Sequence, residues 1–133
     1  MPAFAAGSVI QTFEGVTVNT SLLTFSWTGD AANGTVPATA STRSIEGFVV
    51  LVVTNPGTTA PTDDYDITLT DVDGVDVMGG QLQNRDEANS EHAAPQLQTG
   101  IFGERWVSGV LTLNISNQSV AGATGTVKVF IRR

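Results

Sequence analysis

The 133-residue chain carries six basic and thirteen acidic residues, a formal net charge of −7, no cysteine and 41% hydrophobic residues. That length suits one domain burying about two thirds of its unfolded surface, and the lack of cysteine removes disulfide, zinc–thiolate and thiol-nucleophile chemistry. The basic residues, Arg43, Arg85, Arg105, Lys128, Arg132 and Arg133, are scattered apart from the terminal pair, so neither direct nucleic-acid binding nor attachment to an anionic membrane is expected.

The first strand signal is Val9, Gln11 and Phe13 alternating with Ile10, Thr12 and Glu14. The strand pattern goes on through Val16–Thr20 and Leu22–Thr28, which place Leu23, Phe25 and Trp27 on one face. Gly29–Gly34, with Asn33-Gly34, is a turn signal, and the polar run to Arg43 reads as a loop or a ragged edge strand. Ile45–Val53 is the strongest strand. Its second half is apolar on both faces, as expected of a strand buried on both sides or lying at an interface.

Asn55-Pro56-Gly57 stops it, and Thr58–Asp63 is a Pro/Thr loop. Tyr65, Ile67 and Leu69 then share one face, and Asp73-Gly74 predicts a two-residue type I′ hairpin turn into a strand over Val75–Met78. Residues 81–100 show no strand pattern and read as a long excursion, with one short helical turn near Arg85–Ala88. Excursions of that length are usually functional or ordered by a partner. Alternation resumes over Arg105–Ile115, and Thr126–Ile131 is the final strand.

The fold class expected is all-β: a single antiparallel β-sandwich or jelly-roll-like domain of seven to nine strands over residues 1–133, with an N-terminal arm at 1–8 and a long loop at 81–100. Its longest apolar stretch, Phe48–Val53, is six residues, against ~20 for a membrane-spanning helix. Met1–Gly7 has no basic region and no adequate apolar run, so no signal peptide is expected, and cytoplasmic synthesis is permitted.

Charge is uneven. Residues 63–91 hold Asp63, Asp64, Asp66, Asp71, Asp73, Asp76, Asp86, Glu87 and Glu91 against Arg85 alone, a balance of −8 that leaves +1 elsewhere. Such a face steers a positive partner, and equally serves as a solvated edge that discourages aggregation.

No constellation spells out a reaction. His92, the single histidine, sits in Asn89-Ser90-Glu91-His92 without a nucleophile signature and reads as a surface residue. Asp71, Asp73 and Asp76 have the carboxylate-and-glycine character of a calcium loop but depart from EF-hand spacing, and a hairpin explains them without an ion. Asp63, Asp64 and Asp66 resemble a glycosidase carboxylate set only if two face each other across a sugar cleft. Phe13, Phe25, Phe48 and Phe130 alternate as core residues, and Trp27 and Trp106 read as core too, although an exposed one would suggest sugar stacking. Gly79-Gly80 lacks the lysine and helix of a phosphate loop. No catalytic, cofactor-binding or metal-ligating residue is assigned.

The run Pro61-Thr62-Asp63-Asp64-Tyr65-Asp66-Ile67-Thr68-Leu69-Thr70-Asp71-Val72-Asp73-Gly74-Val75-Asp76-Val77, with Trp27-Thr28 upstream and Asn84-Arg85 downstream, resembles small virion proteins of tailed bacteriophages over roughly residues 23–86. The resemblance implies a β-sandwich present in many copies in a phage particle, made in the host cytoplasm and resident in the virion. It points first to a capsid decoration or cement protein that binds the major capsid protein and oligomerises. A head–tail adaptor, tail component or fibre base is the alternative within the particle, and a carbohydrate- or calcium-binding sandwich module the alternative outside it. The group has no shared catalytic residues to carry over. Phe4, the Arg132-Arg133 pair and the 81–100 excursion are the expected contact parts.

Overall fold

The structure, a computed structural model, describes residues 5–133. Phe4, and with it half of the arm placed at 1–8, lies outside the described residues. The strands are β1 (Ser8–Gly15), β2 (Thr20–Thr28), β3 (Thr39–Ala40), β4 (Ile45–Pro56), β5 (Asp66–Thr70), β6 (Glu91–Ala93), β7 (Gln96–Gln98), β8 (Ile101–Phe102), β9 (Arg105–Gly109), β10 (Thr112–Ser116) and β11 (Thr124–Arg132). No helix occurs among them, and the domain is all-β and sandwich-like. The surplus over seven to nine strands comes from β3, β6, β7 and β8, segments of two or three residues and too short to show a period of two.

One sheet runs β1-β2-β11-β4-β6, with β9 pairing the same edge of β4 as β6 but further toward the N-terminal end of β4. The second runs β3-β10-β5, and β7-β8 is a separate hairpin. All the ladders are antiparallel. The predicted stripe of β2 is where it was expected: Leu23, Phe25 and Trp27 are buried, opposite Val129, Val127 and Gly125 of β11. From the facing sheet Ile67, Leu69 and Leu113 close the core. Burying each such side chain contributes ~1.5–3 kcal/mol. Gly125 is required under Trp27, because a Cβ there would come within 2.7 Å of the indole ring.

Three local expectations are corrected. Of Val16–Thr20 only Thr20 is strand; Val16–Asn19 is the β1–β2 turn, closed by Val16 N–H to Thr20 O at 2.8 Å, with the Thr17 hydroxyl accepting from Thr20 N–H at 3.1 Å. Arg105–Ile115 is not one strand: Gly109, at φ +118°, breaks it, so β9 joins the first sheet and β10 the second. A non-glycine residue resists that φ, so the glycine is what lets the chain turn the corner between sheets. The Asp73-Gly74 turn is also different. Asp71 N–H donates to Val75 O and Gly74 N–H to Asp71 O, both at 3.0 Å, so the loop has three residues and only Gly74 takes a positive φ. That is a type I turn followed by a left-handed glycine, and Val75–Met78 contributes one bridge, Asp76 to Thr70, in place of a strand.

Tyr65 and Trp27 pack with ring centroids 5.7 Å apart, and both the Tyr65 hydroxyl and the Trp27 indole N–H are buried without a hydrogen-bond partner among the described residues. Burial pushes the Tyr65 phenol up to about 12; Arg85 opposes the shift and Glu91 and Asp86 add to it. The folded state therefore holds this proton more tightly than the unfolded chain, so stability is unaffected below ~10 and is lost as pH rises from ~10 toward 12. Tyr65 is the single tyrosine. The phenolate absorbance should thus appear only near pH 12 or together with unfolding; a folded protein ionising at the ordinary tyrosine pH would contradict the burial. Tyr65→Phe removes an unpaired buried hydroxyl and should leave stability unchanged or raise it by up to ~1 kcal/mol in urea titration.

Candidate interaction surface

In β4 the buried residues are Ile45, Gly47 and Val49 before the middle of the strand, and Val52 and Thr54 after it. The change of parity comes from a bulge: Phe130 opposes Leu51 but Ile131 opposes Val49, leaving Val50 as an extra residue. The same extra residue turns Phe48, Leu51 and Val53 to the outer face of the sheet, where they are half-buried. Phe130 faces the same way from β11. Phe48 and Phe130, expected in the core, are therefore outer-face residues, while Phe25 is core and Phe13 packs against the core's margin.

Trp106 of β9 lies directly opposite Phe48 and is 51% exposed. The two rings meet edge-on, centroids 5.2 Å apart at 70°. The Arg132 guanidinium sits 4.8 Å from the Phe48 ring centre, and its Nε donates to Glu104 Oε1 at 2.8 Å. That hydrogen bond holds the Glu104 carboxyl below its ordinary range. Leu51, Val50 and Phe130, with Thr20, Arg132 and Glu104, enclose an open hollow of about 320 Å³. Trp27 is core as expected; Trp106 is not.

The 81–100 excursion is ordered. Arg85 forms no helical turn but bridges Tyr65, accepting Asp64 N–H at 3.0 Å through its carbonyl, and the Asp86 carboxylate takes the N–H groups of Ala88 and Asn89 at 2.8 and 2.6 Å. β6 then adds to β4, and β7-β8 stands out as a hairpin anchored by Gln96 N–H to Met78 O at 3.2 Å and Gly103 N–H to Pro95 O at 3.0 Å. Its side chains are the notable part: Leu97, Ile101 and Phe102 are 46%, 53% and 55% exposed. Single exposed apolar residues are ordinary, whereas several on one projection, just before Trp106 in the chain, form a surface suited to burial by another molecule.

The other candidates do not converge. Asp71 accepts from Asp73 and Val75 N–H and from Arg105 Nη2 at 3.0 Å, and these contacts, led by the Val75 N–H, hold its carboxyl low. Asp76 accepts from Leu69, Met78 and Gly80 N–H at 3.2, 3.1 and 2.8 Å. Asp73 is exposed at the hairpin tip. No group of three or more His, Asp or Glu side chains able to hold a metal ion occurs among the described residues. Asp63 and Asp64 sit exposed in a turn, with Asp64 at φ +61°, and Asp66 is engaged by Asn84 N–H and the Asn117 amide. His92 is exposed on β6 opposite Val53, and Gly79-Gly80 is a turn supporting the β7-β8 hairpin.

The acidic segment 63–91 occupies one flank, running from β5 through its hairpin to β6. Arg105 of β9 and Arg85 meet it, at 3.0 Å to Asp71 and 3.8 Å to Glu91. The opposite flank is β1 over β3, joined where the Gln11 side chain donates to Ala40 O at 2.8 Å and accepts from Thr42 N–H at 2.9 Å.

Compared with family models, curated proteins and solved structures, the chain matches none of them significantly.

The Asp71 and Asp76 carboxylates at the β5 hairpin are thus occupied by the protein's own N–H groups. Asp76→Ala should cost about 1–3 kcal/mol in urea titration by orphaning those donors, while millimolar calcium or chelator should leave the wild-type melting temperature unchanged. A calcium-dependent rise in melting temperature would contradict this assignment.

Proposed function

We propose that the domain is a non-enzymatic structural protein of a tailed-phage particle, a capsid decoration or cement protein that binds the major capsid protein and stabilises the shell. The observation that carries the reading is the β7-β8 hairpin, which presents Leu97, Ile101 and Phe102 to solvent a few residues before the half-exposed Trp106 in the chain. Side chains of that kind serve contact: aromatic and aliphatic anchors dominate protein interfaces when a partner excludes water from them. The sequence resemblance supplies the particle, and the polar groups are spent on turns and caps rather than on a shared centre. Placement at the head–tail junction or on the tail is the variant within the same reading, separated by copy number: hundreds of copies mean the shell, one ring's worth means the tail axis.

A double substitution Ile101→Ser/Phe102→Ser should leave the melting temperature within a few degrees of wild type and abolish incorporation into particles assembled without the native protein. Imaging those particles with and without added protein reads this directly. An unchanged capsid surface on adding the wild-type protein would overturn the decoration reading.

Trp106 favours a second reading, a carbohydrate-binding module in which a sugar ring stacks on the exposed indole and Glu104 and Arg132 bond its hydroxyls. Trp27 is buried, so ligand-induced change in tryptophan fluorescence reports Trp106. Saturable change with oligosaccharides, lost in Trp106→Ala, would establish this reading; none across a glycan panel retires it.

A further inference from the structure

We propose that two copies of this chain join through β1, edge to edge and antiparallel about a two-fold axis, making one continuous sheet of the two six-stranded sheets. This deepens the structural reading above and rests on it only for the expectation of many copies in one assembly.

The argument begins with unpaired backbone. β1 is eight residues long and lies at the edge of its sheet, paired on one side to β2. The Val16 N–H donates to Thr20 O, which fixes the ladder's phase: even-numbered residues of β1 turn their N–H and C=O groups to β2, and those of Val9, Gln11 and Phe13 point away. No hydrogen bond to those outward groups occurs among the described residues. The other long strands are covered. β2 and β11 are interior, and the far edge of β4 is shared by β6 and β9. Natural sheets protect such an edge with proline, lysine, bulges or very short strands. β1 has none of these in Ser8-Val9-Ile10-Gln11-Thr12-Phe13-Glu14-Gly15, and its Ile10 is 69% exposed.

The occupant that fits is a second β1. Antiparallel partners must share a face, and the pairing centred on the middle of the strand sets Gln11 opposite Gln11 of the other copy on the axis, Val9 opposite Phe13 on the core side, and Ile10 opposite Thr12 on the outer side. Glu14, the strand's single charge, falls opposite Ser8 and not opposite its own copy. Charge favours the same geometry. The segment carrying −8 lies on the β5–β6 flank, at the far side of each sandwich from β1, so this pairing holds the two acidic flanks as far apart as the domains allow, and any pairing through β6 or β5 would bring them together.

The test is sedimentation velocity on the full chain at high micromolar concentration. Wild type should sediment at twice the 13.9 kDa chain mass. Ile10→Lys/Thr12→Lys sets like charges opposite each other across the seam and should be monomeric with an unchanged circular dichroism spectrum, as should Ile10→Glu/Thr12→Glu. An equimolar mixture of the two variants should restore the dimer, a rescue that requires positions 10 and 12 of the two copies to meet across one seam. Phe102→Lys, on the hairpin, should leave the dimer intact. A monomeric wild type, a dimer that persists in both like-charge variants, or a mixture that stays monomeric would overturn the proposal. The outcome is independent of particle binding: a dimer that coats no capsid defeats the decoration reading alone, and a capsid-binding monomer defeats this one alone.

Discussion

One extra residue in β4 decides which side chains this domain keeps and which it shows. A strand has a period of two, so the bulge at Val50 moves the core-facing set from Ile45, Gly47 and Val49 to Val52 and Thr54. Without it, either Val49 or Val52 would leave the core, and each side chain beyond that point would change faces. With it, β11 can pair β4 on one side and β2 on the other along nearly its whole length, and Phe48, Leu51 and Val53 are left outside beside Phe130. The apolar outer face is therefore a consequence of how the core closes, not an addition to it.

Much of the framework was legible in the residues. The Leu23, Phe25, Trp27 stripe, the Tyr65, Ile67, Leu69 stripe and the last strand obey a strict alternation, and each is buried as read. The doubly apolar second half of β4 was legible as well, although its cause was not: six consecutive apolar residues look the same whether both faces are buried or a bulge exchanges them. Phe48 and Phe130 were misplaced for that reason. Gly109 hid the sheet switch, because alternation continues in register through Val107, Leu111 and Leu113 while the backbone turns between them. The 81–100 segment was unreadable for a different reason. Its strands are three residues long, and its order comes from hydrogen bonds to Tyr65 and Met78, partners remote in sequence.

The candidate surface was legible only in outline. Length and polarity marked 81–100 as the part to watch, and the exposed apolar residues lie at its end and just beyond it, at Leu97, Ile101, Phe102 and Trp106. Charge sorts the remaining surface: the acid of 63–91 gathers on the β5–β6 flank, the edge β1, with Glu14 its single charge, lies on the other, and the outer sheet face joins them. A molecule arranged in this way has one side that repels its own kind and one that does not.

The register across the bulge is the claim on which all of this stands, and proton–proton nuclear Overhauser effects between β4 and β11 read it directly. The account predicts cross-strand contacts pairing Phe130 with Leu51 and Ile131 with Val49, with Val50 unpaired. An uninterrupted ladder, in which Ile131 opposes Val50 and Arg132 opposes Val49, would contradict it.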